Sequence, residues 1–411
     1  MVAVVNSSGH IDIHNYQQRL ERAVRFLKKH PEVTEENEAQ ILKFLEHIKA
    51  ENLSLARQVS YVQWMTTIAA NLGRKSFTET KKQDVEALLA KFNGSEWSAA
   101  TKENYQEAVK KFWRWLRGLP RGEDPEETEW VKVGGAKGRK IIPEELLTAE
   151  EADDIIVAAE HPRDKAYAAV TDESGARPEE ILSAKIRQVQ FDQYGAVFIV
   201  NGKVGYRRIR LIKSAPLLAR WLDTHPNRND PNAPLWVNVG STRHGGAFDY
   251  NAARKVLREL GRKAGVRKRI YPYLFRHSTA TRLANLLTEA QMCLYFGWRQ
   301  GSRMPSFYVH LSGRDVDNKM LELYGLKPKE NGFKDQIQIC QRCQANNSPV
   351  SKFCNRCGSA LDLKTALETD RRISCAGAAM EQLLRDPEVS RLLAEKMRAL
   401  GLAEKLSQNP D

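Results

Sequence analysis

The stretch "PYLFRHSTATRL", Pro272 to Leu283, decides how this chain is read. After Pro272 it reads as a helix. Yet it sets Arg276 and His277 side by side between Leu274, Phe275 and the small run Ser278 to Thr281. A strongly hydrated pair is not usually placed where a helix is about to enter a core, because burying charge without a partner is costly. The arginine therefore has something to hold.

Segments on either side carry the same kind of punctuation. "DESGARPEEIL" (Asp172 to Leu182) breaks a helical pattern at Ser174-Gly175, presents Arg177, and restarts with Pro178 at the first helical position. "AVFIVNGK" and "YRRIRLI" are two short runs rich in β-branched residues, joined through Gly202, Lys203 and Gly205. They signal a hairpin with a lysine at or near its turn. "MCLYFGWRQGSRMPSFYVHLSG" (Met292 to Gly313) ends an apolar helix at Gly297-Trp298 and passes through a polar loop. It then sets Tyr308 beside Phe307, before His310 and a new helix that Ser312 can cap. Taken singly, Arg177 reads as a surface ion pair, Lys203 as a solvated turn residue and Tyr308 as a core or interface residue. The combination, in chain order, of Arg177, Lys203, Arg276, Trp298 and Tyr308 changes that reading.

Length and charge agree with a modular, polyanion-binding chain. At 411 residues it exceeds one ordinary core and suggests two or three domains. The balance of 64 Lys+Arg against 51 Asp+Glu, net +13, points most simply to nucleic acid. Residues 1 to 15 lack the basic and apolar regions of a signal peptide, and no apolar stretch is long enough to span a bilayer. The expectation is a cytoplasmic protein with no membrane partner. Six cysteines in such a chain are read as thiols, and closely paired ones as metal ligands.

Along the first 118 residues, apolar positions recur at helical spacing. One run carries Leu20, Val24, Phe26 and Leu27. A second, capped at Thr34, carries Ile41, Leu42, Phe44, Leu45 and Ile48. Ser54 to Leu72, Asp84 to Phe92 and "SAATKENYQEAVKKFWRWL" (Ser98 to Leu116) follow, enough for one bundle. Residues 119–145 are rich in Gly, Pro and charge and read as a linker, whose Lys132, Lys137, Arg139 and Lys140 either lie along a phosphate backbone or are solvated. A second domain opens at "LTAEEADDIIVAAE", with Thr148 as the cap.

On these residues the second domain, about Leu147 to Leu326, resembles the catalytic domain of the tyrosine recombinase (phage integrase) family. "SGARPEEIL" matches the first arginine box, "NGKVGYRRIRL" the hairpin lysine, "PYLFRHSTATRLA" the second arginine box and "FGWRQGSRMPSFYVH" the segment ending in the nucleophile. Trp298 stands ten residues before Tyr308, where the family carries His or Trp. The N-terminal bundle is similar to the family's core-binding domain. The wording around Tyr308, with the cysteine pairs after it, leans toward integrases of archaea and their viruses, hence toward mobile elements.

The resemblance implies DNA strand exchange through a 3′-phosphotyrosyl link. Tyr308 would be the nucleophile, because a phenolic ester conserves the phosphodiester energy for a later DNA hydroxyl. Arg177 and Arg276 would clamp the non-bridging oxygens with fork-shaped, always-charged groups. Lys203 would protonate the leaving 5′ oxygen, and Trp298 would offer an indole N–H to the phosphate. The family's catalytic histidine stands three residues before the second arginine, and here that position is Tyr273. A phenol is a poor proton shuttle at neutral pH but can donate a hydrogen bond, so Tyr273 is kept as a site candidate. His277 and His310 read as bystanders, and Glu180 as an orienting or capping residue.

A second constellation, "CQRCQANNSPVSKFCNRCG", arranges Cys340, Cys343, Cys354 and Cys357 as two CxxC pairs, four thiolates suited to one structural zinc. Cys293 and Cys375 read as ordinary thiols. Arg342, Lys352 and Arg356 leave the ribbon with either DNA or protein to contact. The final helix, from Asp386 and Pro387 with Val389, Leu392, Leu393, Met397 and Leu400 on one face, packs within the chain or on another protomer.

The expected architecture is therefore multidomain. It has an all-α core-binding bundle (1–118), a basic linker (119–145), a mainly helical α+β recombinase domain with a small hairpin or sheet (146–330), a zinc ribbon (335–362) and a helical tail (363–411). The expected activity is site-specific DNA recombination or integration without metal or nucleotide in the chemistry. The partners are double-stranded DNA and further copies in dimers or tetramers. The alternatives are a DNA-relaxing or resolving enzyme with the same chemistry, or an inactive zinc-containing DNA-binding regulator.

Overall fold

The computed structural model describes residues 12–134, 142–202, 204–240, 245–246, 248–284, 286–311, 320–321, 323–326 and 337–399. Contacts divide the chain into one unit of residues 1–146 and 237–253 and another of 147–236 and 254–411.

In the first unit the apolar runs become five helices: α1 (Tyr16–Lys28), α2 (Glu35–Ala50), α3 (Leu55–Asn71), α4 (Lys82–Asn93) and α5 (Ala99–Leu116). The side chains of Thr34, Ser54 and Ser98 accept the N–H groups of Asn37, Arg57 and Thr101, fixing three helix starts. Each such cap contributes about 1 kcal/mol. The inner faces meet in one apolar core, where Phe112 packs edge-on to Phe44 at 5.1 Å and against Phe77 at 4.6 Å. The buried Asn37 amide donates to the Lys75 carbonyl and accepts from Phe77 N–H, tying the segment after α3 to α2. On α1 the buried stripe is Leu20, Ala23 and Leu27. Phe26, expected in that stripe, is 62% exposed, one position off the inward face.

The expected linker departs from its reading. Residues 119–134 are folded onto the bundle: Val131 is 3% exposed within the core, and Thr128 is buried. Asp124 pairs with Lys110 at 2.5 Å and with Arg114, and Glu127 with Arg117 at 2.6 Å. Two of its acidic residues are thereby paired with the end of α5 and the residue after it, while Lys132 stays exposed. Lys137, Arg139 and Lys140 lie outside the described residues. Residues 237–253, expected within 146–330, group with the first unit instead.

The second unit starts with α6 (Ala149–Val157), capped by Thr148 and Glu151 reciprocally. Then come α7 (Pro162–Ser174), the single-turn α8 (Pro178–Leu182) and an antiparallel sheet of β1 (Val189–Asp192), β2 (Gly195–Gly202) and β3 (Gly205–Leu211) in that order. The β2–β3 register ends with Gly202 opposite Gly205. After α9 (Ala215–Asp223) and α10 (Tyr250–Lys263), helix α11 (Pro272–Ala284) packs against α7, α12 (Glu289–Phe296) and α13 (Met304–Leu311). Tyr308 lies inside α13, where Ser302 accepts the Met304 N–H and Pro305 sits in the first turn. Ser312, expected to cap a further helix, lies outside the described residues. Beyond lie β4 (Gln338–Ile339), β5 (Asn346–Asn347), α14 (Leu363–Leu384) and α15 (Pro387–Ala399). Among the described residues no helix is long and apolar enough to cross a membrane.

Candidate active site

The site is organised by the break between α7 and α8 and by the end of α12. Gly175 takes φ +51° to stop α7, and a Cβ there would lie 2.7 Å from Phe296 Cε1. That close approach brings its carbonyl to Arg276 Nη1 at 2.9 Å, while Arg276 Nη2 donates to the Phe296 carbonyl at 2.8 Å. Arg177 is the N-cap of α8 and donates through Nη2 to the Gly297 carbonyl at 3.2 Å. Two guanidinium groups thus rest on successive carbonyls at the C-terminal end of α12, where unpaired carbonyls and the helix dipole favour cations.

A third guanidinium completes the cluster. Glu180, 3% exposed, accepts from both Arg207 terminal nitrogens at 2.8 and 2.6 Å and from Arg177 Nη1 at 3.0 Å. Burial alone would raise its pKa, but the Arg207 bonds, the Arg177 N–H and both charges hold it below the ordinary glutamate value. Gly202 and Gly297 make room: a Cβ would stand 2.1 Å from Glu180 Oε1 at the first and 2.7 Å from Arg207 Nη1 at the second. Arg276 is 4% exposed, and burial, then repulsion from Arg177 and Arg207, lower its pKa to about 10 against the pull of Glu180. It stays charged at neutral pH, and three cations gathered about one buried carboxylate favour an anion.

Tyr308 comes to the same place. Its ring stacks on Trp298 at 5.4 Å and 7°, and Trp298 stacks on Phe296 at 4.9 Å. The Arg276 guanidinium lies 5.3 and 5.5 Å from the Phe296 and Trp298 ring centres. Tyr308 is 1% exposed, and its hydroxyl lies 2.7 Å from His277 Nδ1. Burial pushes the phenol up to about 12, opposed by the Arg276 charge, while burial and Arg276 push His277 down to about 4. Tyr273 donates to Glu179 Oε2 at 3.4 Å and is pushed up to about 12, first by burial and then by Glu179.

Of the residues singled out in the sequence, Arg177, Arg276, Trp298 and Tyr308 converge, with Tyr273 one turn before Arg276. Lys203 lies outside the described residues, between the paired Gly202 and Gly205. Two residues were missed. His277, read as a bystander, touches the Tyr308 hydroxyl, and Arg207 anchors Glu180 while donating to the Tyr295 carbonyl at 2.8 Å. Adjacency to Arg276 was the only sequence signal for the first. Nothing in "YRRIRLI" separates Arg207 from its neighbours.

The four cysteines form a separate centre. All their sulfurs lie within 4.8 Å of one another, the nearest pairs at 3.6 Å (Cys340–Cys357) and 3.5 Å (Cys343–Cys354), and none is in a disulfide. Each CxxC forms the same knuckle: Gln344 and Gly358, both at positive φ, return their N–H to the carbonyls of Cys340 and Cys354. Such a cluster can hold a metal ion. In the first unit, a cavity of about 950 Å³ is lined by Arg57, Lys111 and Trp115 among others. Arg57 is paired with Glu107 and Lys111 with Glu51, each at 2.5 Å, and the cavity contains none of the residues above.

Comparison with known proteins places this arrangement. Residues 145–314 match the model of the phage integrase family. This segment is similar to phage integrase domains. Tyrosine recombinase XerC of Vibrio parahaemolyticus is 23% identical over 305 residues, 71% of this chain and 94% of that protein. Tyrosine recombinase XerA of Pyrococcus horikoshii is 26% identical over 203 residues, covering 49% and 66%. Among solved structures, the XerH recombinase bound to difH superposes with TM-score 0.53 at 19% identity, covering 76% of this chain and 97% of that one. A lambda integrase dimer bound to a core site gives 0.52 at 12%, covering 66% and 76%. These likenesses establish a tyrosine recombinase fold, mainly helical with small sheets.

Proposed function

We propose that the protein is a tyrosine-type site-specific recombinase that breaks and rejoins duplex DNA through a 3′-phosphotyrosyl intermediate. The observation that carries this reading is the convergence of Arg177, Arg276, Trp298 and Tyr308 around the end of α12, inside the integrase domain. Tyr308 Oη attacks the phosphorus, Arg177 and Arg276 neutralise the charge gathering on the non-bridging oxygens, and Trp298 and, once its hydroxyl leaves Glu179, Tyr273 donate hydrogen bonds. Lys203 protonates the leaving 5′ oxygen. Tyr308 and Arg276 are buried, so a phosphate reaches them only after the elements covering them give way.

The similar proteins support the partner. XerH is held on its difH substrate, and lambda integrase as a dimer on a core site and as a tetramer on a Holliday junction. Double-stranded DNA and assembly into dimers or tetramers are accordingly assigned here. Residues 1–118 act as the core-binding domain, with the catalytic domain within 146–330. The Cys340, Cys343, Cys354 and Cys357 cluster holds a structural zinc: four thiolates about 2.3 Å from a tetrahedral ion stand close to the separations seen, and the closed shell leaves no open position for catalysis. The likeness to the Pyrococcus XerA supports an archaeal kinship, and a gene beside a tRNA gene flanked by direct repeats would tie it to a mobile element.

A nicked DNA duplex carrying a candidate site, whose short cleaved fragment diffuses away, tests the reading. The wild type accumulates a denaturation-resistant protein–DNA adduct without added magnesium, and Tyr308→Phe accumulates none. An adduct that survives Tyr308→Phe moves the nucleophile elsewhere. Binding without any adduct favours an inactive regulator.

A further inference from the structure

The proposed reaction leaves one proton without a destination. Attack by Tyr308 releases the phenolic hydrogen, and the family position that carries histidine is occupied here by Tyr273. Tyr273 holds its hydroxyl on Glu179 at 3.4 Å, and burial beside that carboxylate keeps its own proton bound. It cannot accept a second one.

His277 is placed where the acceptor belongs. It is half-buried on α11 directly after Arg276, with Nδ1 2.7 Å from the Tyr308 hydroxyl and the two rings 6.0 Å apart. The tautomer protonated at Nε2 presents a lone pair to that hydroxyl. We propose that His277 is the catalytic base that takes the Tyr308 proton during strand cleavage and returns it during rejoining. The assignment rests on the reading of Tyr308 as nucleophile.

The step balances. As Tyr308 Oη bonds to phosphorus, its hydrogen passes to His277 Nδ1, the phosphorus–5′ oxygen bond breaks, and the 5′ oxygen takes a proton from Lys203. In rejoining, the 5′ hydroxyl attacks and gives its proton to the Lys203 amine, the bond to Tyr308 breaks, and the imidazolium hands its proton back to the phenolate. The surroundings suit a base that must be neutral before it acts. The groups about the imidazole are Arg276 and Tyr273 on its own helix and Tyr308 on α13. On α12 stand Tyr295, bonded to the Glu173 carbonyl, and Glu289, near Ser306, while Asp172 of α7 is paired with Arg282 at 2.6 Å. Burial and Arg276 keep the ring uncharged at neutral pH.

The test measures adduct formation on the nicked duplex against pH for wild type, His277→Gln and His277→Asn. A parallel strand-joining assay has a DNA 5′ hydroxyl displace p-nitrophenolate from a 3′-p-nitrophenyl phosphate end. That displacement uses the arginine clamp and passes the 5′ hydroxyl proton to Lys203, but it involves neither the Tyr308 proton nor an acceptor for it. The expected result is a 10²- to 10⁴-fold slower adduct in both variants, with a residual rate that climbs about tenfold per pH unit between 7 and 9 as hydroxide replaces the base, while joining stays within about threefold of wild type. Equal loss in both assays assigns His277 a structural role and overturns the proposal. An adduct at the wild-type rate overturns it as well. So does a faster one, which would make the bond a latch on Tyr308. Wild type without an adduct, or an adduct in Tyr308→Phe, overturns the nucleophile reading itself.

Discussion

Arg276 is the residue that first marked the site, and its two carbonyl contacts set what the role proposed for it asks of the side chain. A lysine ammonium cannot span the Gly175 and Phe296 carbonyls while facing a phosphate, because it is one compact charge rather than a planar fork. Arg276→Lys is expected to slow adduct formation by about 10²-fold or more, the scale of losing one transition-state donor, with DNA affinity nearly unchanged. Single-turnover cleavage and a binding titration separate the two. Glu180 makes a prediction of the opposite kind. Its folded pKa is depressed, so its contribution to stability is present above the unfolded glutamate pKa and fades as pH falls through the folded value. Glu180→Gln leaves Arg177 and Arg207 facing each other with no carboxylate between them. It is expected to destabilise the domain by roughly 2–4 kcal/mol at pH 7, and the difference from wild type shrinks as pH drops below about 4. Chemical denaturation at several pH values checks it.

At the scale of the element, the break between α7 and α8 and the hairpin turn are what deliver these side chains. Gly175→Ala places a Cβ against Phe296 and Thr279 in a left-handed backbone, so a loss of about 1–3 kcal/mol and weaker cleavage are expected together, read by thermal melting and adduct yield. The cysteine knuckles behave differently. Cys354→Ser or a strong chelator is expected to remove one zinc per chain and unfold the region about residues 337–362, visible as lost proteolytic protection. Adduct formation persists, because no cysteine of the cluster touches the arginines or Tyr308. The helix starts at Thr34, Thr148 and Pro178 and the β2–β3 hairpin were legible from capping and turn chemistry, which act over three or four residues. The start of α13 was not. Ser302 and Pro305 begin it inside a stretch whose Gly, Ser and Pro read as a polar loop.

For the whole molecule, a net charge of +13 predicts salt-sensitive DNA binding. If six or more phosphates are contacted, affinity falls by roughly 10³-fold between about 50 and 200 mM salt, measured by fluorescence anisotropy. The likeness of residues 145–314 to the phage integrase family, the candidates Arg177, Arg276, Trp298 and Tyr308, and the cysteine quartet were all legible in sequence, since each is announced by a local pattern at fixed spacing. The tertiary structure alone decided the rest. His277 meets Tyr308 across 31 residues of chain, Arg207 reaches Glu180 across 27, and residues 119–134 fold onto the bundle through scattered ion pairs and one buried valine. Those contacts join side chains distant in sequence, and their partners are set by how helices pack, which no local periodicity records.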